Sequence, residues 1–508
     1  MYGVISGERF TPQELLFERA ARAASGLAAA GLERGDAVAI VMRNDIPFLE
    51  ASYACTALGV YAVPVNWHWQ VDEVRYLLED SGAKVVVAHA DLMPVVRAAL
   101  PEGVLLLGVA TPPEVAAVYN IAPERCDVPA DVPEWGAWLS GFPVWDQPPA
   151  RAVGTMVYTS GTTGRPKGVR RQPADPSLIP ELMRLFGLMS GLHDGARTVV
   201  PAPMYHSAPN GYAIQAARMK ALVVLQPRFD AEELLALVEK HRITHLQLVP
   251  TMMIRLLRVA REAREKYDVS SLEYVVHAAA PCPIDVKRKM IEWLGPIVYE
   301  YYGCTESGMF TTCTSEEWLS HPGTVGRPVD GAVVKILDEN GNEQPPGVPG
   351  DVYGRLECMA DFTYHGQDDE RRAIERDGLL TCGDMGYLDE DGYLYLCDRR
   401  KDMVISGGVN IYPAEIEQVL IALDGVRDCA VFGIPDEEFG EALAAYIEPE
   451  PGATLDADAV RTFLRERMAG YKVPRVVEFR DELPREDSGK IFKRLLREPY
   501  WSQAGRSI

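Results

Sequence analysis

The 508-residue chain has no run of roughly eighteen or more apolar residues, so a membrane-spanning helix is not expected. It has few basic residues for its size. Lys and Arg number 51 against 73 Asp and Glu, a net charge of −22 that would repel the phosphates of a nucleic acid. A nucleotide held in a locally basic pocket stays compatible with that balance. The nine cysteines form no CxxC pair, and the nine histidines form no HxxxH or HExxH pattern, which argues against a protein metal cage. The N-terminal MYGVISGERFTPQELL carries charge early and lacks the apolar core of a signal peptide. Together with an odd cysteine count, this leads to the expectation of reduced thiols in a cytoplasmic protein. No repeat of fixed period is visible.

What is present is an alternation of helix and strand patterns. Residues 12–31 read as a helix, AVAIVM at 37–42 as a buried strand, then a helix up to Gly59 and a strand through YAVPVN. TVVPA, ALVVL, HLQLVP and YVVHAA continue the theme, which predicts α/β layers with largely parallel sheets. Residues 109–150, rich in Pro and acids, read as a surface excursion. Beyond 330 the pattern turns to short strands with tight turns at Asn340-Gly341 and Asp391-Gly392. From about 402 a small α/β unit follows, with a helix at 413–423, a strand at 428–434 and a last helix near 457–469. The expected division is a body over 1–400 and a terminal domain over 401–508.

Four stretches carry chemistry. YTSGTTGRPKG (158–168) follows a strand candidate and crowds three glycines, hydroxyls and a lysine into eleven positions. It is not the GxxxxGK[ST] loop, because no Ser or Thr follows Lys167. Backbone amides freed by Gly161 and Gly164, the hydroxyls of Thr159, Ser160, Thr162 and Thr163, and the Lys167 charge suit a polyphosphate. In YEYYGCTESG (299–308), Tyr302 can stack on a flat base, Thr305 can bond a phosphate, and Glu306 is a hard oxygen ligand suited to Mg²⁺. In 379–408, Asp384 can accept from two ribose hydroxyls and Arg399 offers a fork of donors. LPREDSGKIFKR presents Lys490 just after a Ser-Gly turn.

Taken in order, these stretches resemble the adenylate-forming superfamily of acyl-CoA synthetases, peptide-synthetase adenylation domains and luciferases, over nearly the whole chain. The resemblance implies a large N-terminal domain of layered α/β sheets with a small β-barrel-like part, and a small mobile C-terminal α/β domain. It implies a two-step reaction: a carboxylate attacks the α-phosphate of Mg-ATP, and a thiol, usually that of coenzyme A, then takes the acyl group. Thr159, Ser160, Gly161, Thr162, Thr163, Gly164 and Lys167 would hold the departing phosphates. Tyr302 would stack the adenine with Ala279 and Ala280 on its other side, Thr305 would touch the α-phosphate, and Glu306 would bind Mg²⁺. Asp384 and Arg399 would hold the ribose, and Lys490 would bridge carboxylate and α-phosphate. Lys401 falls at the family's hinge, with Gly407 and Gly408 lining the pantetheine path. Two departures stand out: HAAAP (277–281) where the family often has SGGAP, and PREDSGK where PRTxTGK is commoner.

PMYHSAPNG (203–211) matches the acyl-CoA synthetase pattern in which a histidine, here His206, borders the acyl tunnel. The resemblance puts Tyr205, Ala208, Tyr212, Val249, His277, Tyr301 and Met309 in the acyl pocket, Tyr301 at its floor. An apolar and aromatic lining suits a hydrophobic acid, fatty or else aryl or cyclic. No aspartate stands where peptide-synthetase domains hold an α-amino group, and no carrier-protein serine motif appears, which makes free coenzyme A the expected acceptor. A homodimer stays open. So do two other readings, a luciferase-like oxygenase and a silent nucleotide-binding scaffold on the same fold.

Overall fold

The computed structural model of the chain describes residues 2–148, 153–159, 166–485 and 491–503. Ser160, Gly161, Thr162, Thr163, Gly164 and Lys490 lie outside the described residues. No helix among the described residues is long and apolar enough to cross a membrane.

Two sheets enclose a layer of helices. The first is four-stranded and parallel, in the order Tyr61–Pro64, Ala37–Val41, Ala83–His89, Leu105–Val109. The second has nine strands. Its centre runs parallel from Val298–Cys304 through Tyr274–His277, His245–Leu248, Arg197–Val200 and Leu222–Leu225 to Gly3–Ser6, with antiparallel strands at both edges. Between the sheets lie the helices Gln13–Ala29, Ile46–Leu58 and Ser207–Arg218, which share one core with Val38, Ile40, Val85, Val200, Val223 and Leu225. That position explains Ile46–Leu58, which is apolar on nearly every face because it is covered on nearly every face. Asp45 opens this helix by accepting from the Ile46 amide, and Gly59 closes it at φ 69°.

The predicted alternation is therefore present, and strand edges fall within a few residues of expectation. Two expectations need correction. Residues 109–150 are not a mere surface excursion: the helix Trp135–Ser140 sinks Trp135 into the core, where its indole N–H donates to Glu50 Oε2 at 2.7 Å. Nor are all the thiols reduced, since Cys304 and Cys382 are joined as a disulfide.

Two antiparallel sheets adjoin the large sheet. Val157–Thr159, Lys167–Arg171 and Phe362–Tyr364 form a three-stranded one, so the strands flanking the glycine-rich loop are hydrogen-bonded neighbours. Residues 332–399 form the other, in which Leu379–Leu388 pairs with Gly350–Leu356 and Leu394–Arg399. The strands between Val404 and Phe479 form a sheet of their own, covered by the helices Pro413–Leu420 and Ala457–Arg465, with Lys493–Gln503 beyond.

A buried ion pair sits under the large sheet. Lys287, on the helix Ile284–Leu294, is fully buried and its Nζ lies 2.5 Å from Glu300 Oε2. Glu300 is the register partner of His277, whose Nε2 lies 3.4 Å from the same oxygen. Burial pushes the Glu300 carboxyl up, against the pull of Lys287, while burial and the Lys287 charge hold His277 well below its ordinary value and so neutral. The pair ties the helix that follows the 278–283 loop to the Val298–Cys304 strand, the neighbour of the strand that precedes that loop. Lys287→Met should cost about 3–5 kcal/mol by stranding Glu300 without its partner. Lys287→Met combined with Glu300→Gln should recover much of that loss, as read by chemical denaturation.

Candidate functional site

The site forms where the Val298–Cys304 strand ends, beside the Thr159 and Leu379–Leu388 strands. Glu306 is its centre. Its Oε1 accepts from Tyr364 Oη at 3.0 Å and from Thr159 Oγ1 at 3.3 Å, and no cationic side chain pairs with it among the described residues. Glu306 in turn pushes the buried Tyr364 phenol up, after the larger effect of burial. A carboxylate oriented by two hydroxyls and left without a counter-cation suits a hard divalent ion such as Mg²⁺. Arg171 braces the turn from behind: its Nη2 donates to the carbonyls of Thr305 (2.5 Å) and Glu306 (3.1 Å). Burial pulls its guanidinium down to about 10, against the charges of Glu306 and Asp361.

On the adjoining arm Asp384 is buried and doubly engaged. Tyr302 Oη donates to its Oδ2 at 2.8 Å, and Arg399 Nε lies 2.9 Å from its Oδ1. Asp384 and Arg399 are register partners across two antiparallel strands, which fixes their spacing. The neighbouring Asp384 raises the Arg399 guanidinium further, and burial followed by Asp384 raises the Tyr302 phenol well above its ordinary value. So the structure brings together Thr159, Tyr302, Thr305, Glu306, Asp384 and Arg399, residues drawn from three of the four stretches.

Lys167 takes a different posture from a free phosphate ligand. It is buried, its Nζ 2.5 Å from Glu370 Oε2 and 5.4 Å from the Tyr364 ring centre. Its charge is matched by protein, and it fastens the strand after the glycine-rich loop to the Asp368–Ala373 helix. Ala279 and Ala280 are exposed on the loop after Tyr274–His277. Ala279 has φ 75°, a left-handed conformation that an L-residue holds at a cost of about 1–2 kcal/mol. This is a position where the resembling family often has glycine.

Among the acyl-pocket residues, Ala208, Val249, Tyr301 and His206 keep partial exposure, and His206 caps the Ser207–Arg218 helix with its ring 4.3 Å from that of Tyr205. Tyr205 and Met309 are 6% exposed. Tyr212 and His277 do not present a surface to a ligand: Tyr212 bonds Thr198 Oγ1 at 2.9 Å inside the core, and His277 is fully buried against Glu300. In this arrangement both rings face the interior. Tyr301 has its hydroxyl fixed by Gln247 Nε2 at 3.0 Å.

In the terminal part, Lys401 is exposed and its carbonyl accepts from Arg497 Nη1 at 3.1 Å, while Arg497 also lies 3.6 Å from Asp402. Gly407 and Gly408 are exposed at φ 58° and 81°. A Cβ on Gly407 would come 3.0 Å from the Phe439 ring, whereas one on Gly408 would meet nothing within 4 Å.

Sequence reasoning missed Tyr364, Arg171, Glu370 and Gln247. Arg171 carried a faint signal, a second arginine in the strand after the loop; Tyr364, Glu370 and Gln247 carried none.

The AMP-binding enzyme family model matches residues 4–361, and the model of the AMP-binding enzyme C-terminal domain matches 415–490. A feruloyl-CoA synthase of Amycolatopsis sp is 34% identical over 488 residues, covering 94% of this chain and 91% of that protein. The long-chain-fatty-acid–CoA ligase FadD13 of Mycobacterium tuberculosis is 32% identical over 486 residues, with 94% and 91% covered. The solved anthranilate CoA ligase AuaEII, in complex with anthranoyl-AMP, superimposes with a TM-score of 0.86 at 25% identity, covering 99% of this chain and 95% of that one. Matched in two parts, over residues 4–361 and 415–490, the chain belongs to the AMP-binding, adenylate-forming enzyme family.

Proposed function

We propose that the chain is an ATP-dependent carboxylic acid–CoA ligase that forms an acyl-adenylate from a hydrophobic acid and passes the acyl group to coenzyme A, releasing pyrophosphate and AMP. The observation that carries this reading is the convergence, at one strand end, of the Tyr302–Asp384–Arg399 group with a Glu306 carboxylate that no cationic side chain pairs with among the described residues. Tyr302 offers a flat face for adenine. Asp384 has oxygens to accept ribose hydroxyls, and Arg399 Nε at 2.9 Å from Oδ1 orients it. Glu306 would hold Mg²⁺, which supplies charge neutralisation on the phosphates. Thr305 and Thr159 offer hydroxyls to the phosphates, joined by Ser160, Thr162, Thr163 and the amides of Gly161 and Gly164. Lys490 supplies the cation that lets two anions approach.

The second step needs another thing in the same place. We take residues 1–400 as the body and 401–508 as a terminal domain that turns about Lys401, so that Lys490 and then Gly407-Gly408 face the site. The separate sheet within 404–479 and the exposure of Lys401 support this. For the acid, the partly exposed Ala208, Val249 and Tyr301 favour an apolar chain or ring. A fatty acid is the first reading. An aryl acid is the second, favoured by the likeness to feruloyl-CoA synthase and to the anthranilate ligase.

Mg-ATP and a suitable acid should support pyrophosphate exchange without coenzyme A. A panel of fatty, aryl and cyclic acids scored by exchange identifies the class, and silence across the whole panel would sink the ligase reading. Tyr301→Gly should shift the preferred acid towards longer or bulkier ones with the KM for ATP unchanged, measured on the same panel. An unaltered profile would take Tyr301 out of the pocket.

The two half-reactions should separate by mutation. Lys490→Ala should slow adenylate formation by on the order of 10²–10³, the effect of one preorganised charge. It should leave thioester formation from supplied acyl-adenylate near normal. Gly408→Leu should do the reverse, since its side chain meets nothing in the present arrangement. Equal loss of both half-reactions in both variants would defeat the domain rotation.

A further inference from the structure

Cys304 and Cys382 stand 78 positions apart in sequence, one on each arm of the nucleotide site. Cys304 ends the Val298–Cys304 strand, directly before Thr305 and Glu306, and two residues after Tyr302. Cys382 lies on the Leu379–Leu388 strand, two residues before Asp384. Their Cα atoms are 6.0 Å apart and their sulfurs are bonded, while the other seven cysteines are free thiols. The Ser307 hydroxyl lies 3.0 Å from Cys304 Sγ and 3.7 Å from Cys382 Sγ. Both cysteines are only half-buried, so small solutes can reach them. Neither sulfur has a part in adenylation or thioester formation as proposed above.

We propose that this pair is a thiol–disulfide site that sets how tightly the chain binds its nucleotide, with peroxides as the oxidant class and small dithiols as the reductant class. The proposal rests on the nucleotide reading of the Tyr302–Asp384 arms. In the oxidising direction one sulfur takes an oxygen from the peroxide O–O bond, giving a sulfenic acid and releasing water or an alcohol. The second sulfur then displaces that oxygen as water and the S–S bond forms. Two electrons pass from the sulfurs to the peroxide, and both thiol protons leave in the products. A dithiol reverses this by exchange, becoming a disulfide itself and returning two protons to the cysteines.

The direction of the effect follows from what the bond holds. With the pair closed, Tyr302 Oη is already on Asp384 and Asp384 already on Arg399. Tyr302 shares a strand with Cys304 and Asp384 shares one with Cys382. The covalent tie therefore fixes the spacing of the adenine and ribose arms before any ligand arrives. Without it, side-chain hydrogen bonding carries more of the link, and part of the binding free energy goes into ordering the arms.

The test is done without coenzyme A, whose thiol would exchange with the pair. The protein is treated with hydrogen peroxide or with dithiothreitol, and the 304–382 cross-link is scored by alkylation and peptide mass spectrometry. ATP affinity of each form is then measured by calorimetry. The oxidised form should bind ATP about threefold to tenfold more tightly, the range expected for removing the ordering of one or two groups. The double variant Cys304→Ser, Cys382→Ser should match the reduced form whether or not peroxide is added. Failure of the cross-link to form, equal or reversed affinities, or a redox response that survives in the double variant would overturn the proposal. Absence of ATP binding in both forms, with the cross-link present, would overturn the nucleotide reading and this proposal together; equal binding in both forms would overturn only this one.

Discussion

A carboxylate and a triphosphate repel each other, and the chain that must join them carries 22 more acidic than basic charges. Everything at the site answers that constraint. The described residues set the hydroxyls of Thr159 and Tyr364 on Glu306 and pair no cationic side chain with it. The cations near the site are already assigned: Arg399 to Asp384, Lys167 to Glu370, Arg171 to two backbone carbonyls. A site built this way binds a nucleotide only with charge brought from elsewhere. The proposed mechanism draws that charge from a metal ion at Glu306 and from Lys490, on a terminal domain proposed to turn.

The architecture explains why these groups stay aligned. Parallel strands deliver their C-terminal ends to one edge of the large sheet, where ligands bind in folds of this kind. The antiparallel pairing of Leu379–Leu388 with Leu394–Arg399 sets Asp384 opposite Arg399 by register, so no loop needs to find that geometry. Below the surface, the Lys287–Glu300 pair holds the helix that follows the 278–283 loop against the Val298–Cys304 strand. The loop itself is strained at Ala279. Strain above and a fully buried ion pair below are consistent with a loop whose shape matters more than its stability.

Much of the fold was legible because its signals are local. Apolar runs, glycine stops and tight-turn pairs placed the helices and strands of residues 13–64 and the hairpins after 330 within a few residues. The 109–150 segment misled, since its three tryptophans sit in a proline-rich stretch without clear periodicity, and only tertiary packing, with the bond to Glu50, makes Trp135 part of the core. No local signal showed the neighbour of His277, whose Nε2 lies 3.4 Å from Glu300 on the adjacent strand.

The sequence by itself determined the family and the order of the four motifs, because those depend on chemistry carried within a few consecutive positions. Only the tertiary structure decided the partners. Tyr364 reaches Glu306 across 58 positions, Lys167 reaches Glu370 across 203, and Cys304 meets Cys382 across 78. Such pairings follow from how sheets stack and strands register. No local pattern encodes them, since either partner alone reads as an ordinary tyrosine, glutamate or cysteine on a strand or turn.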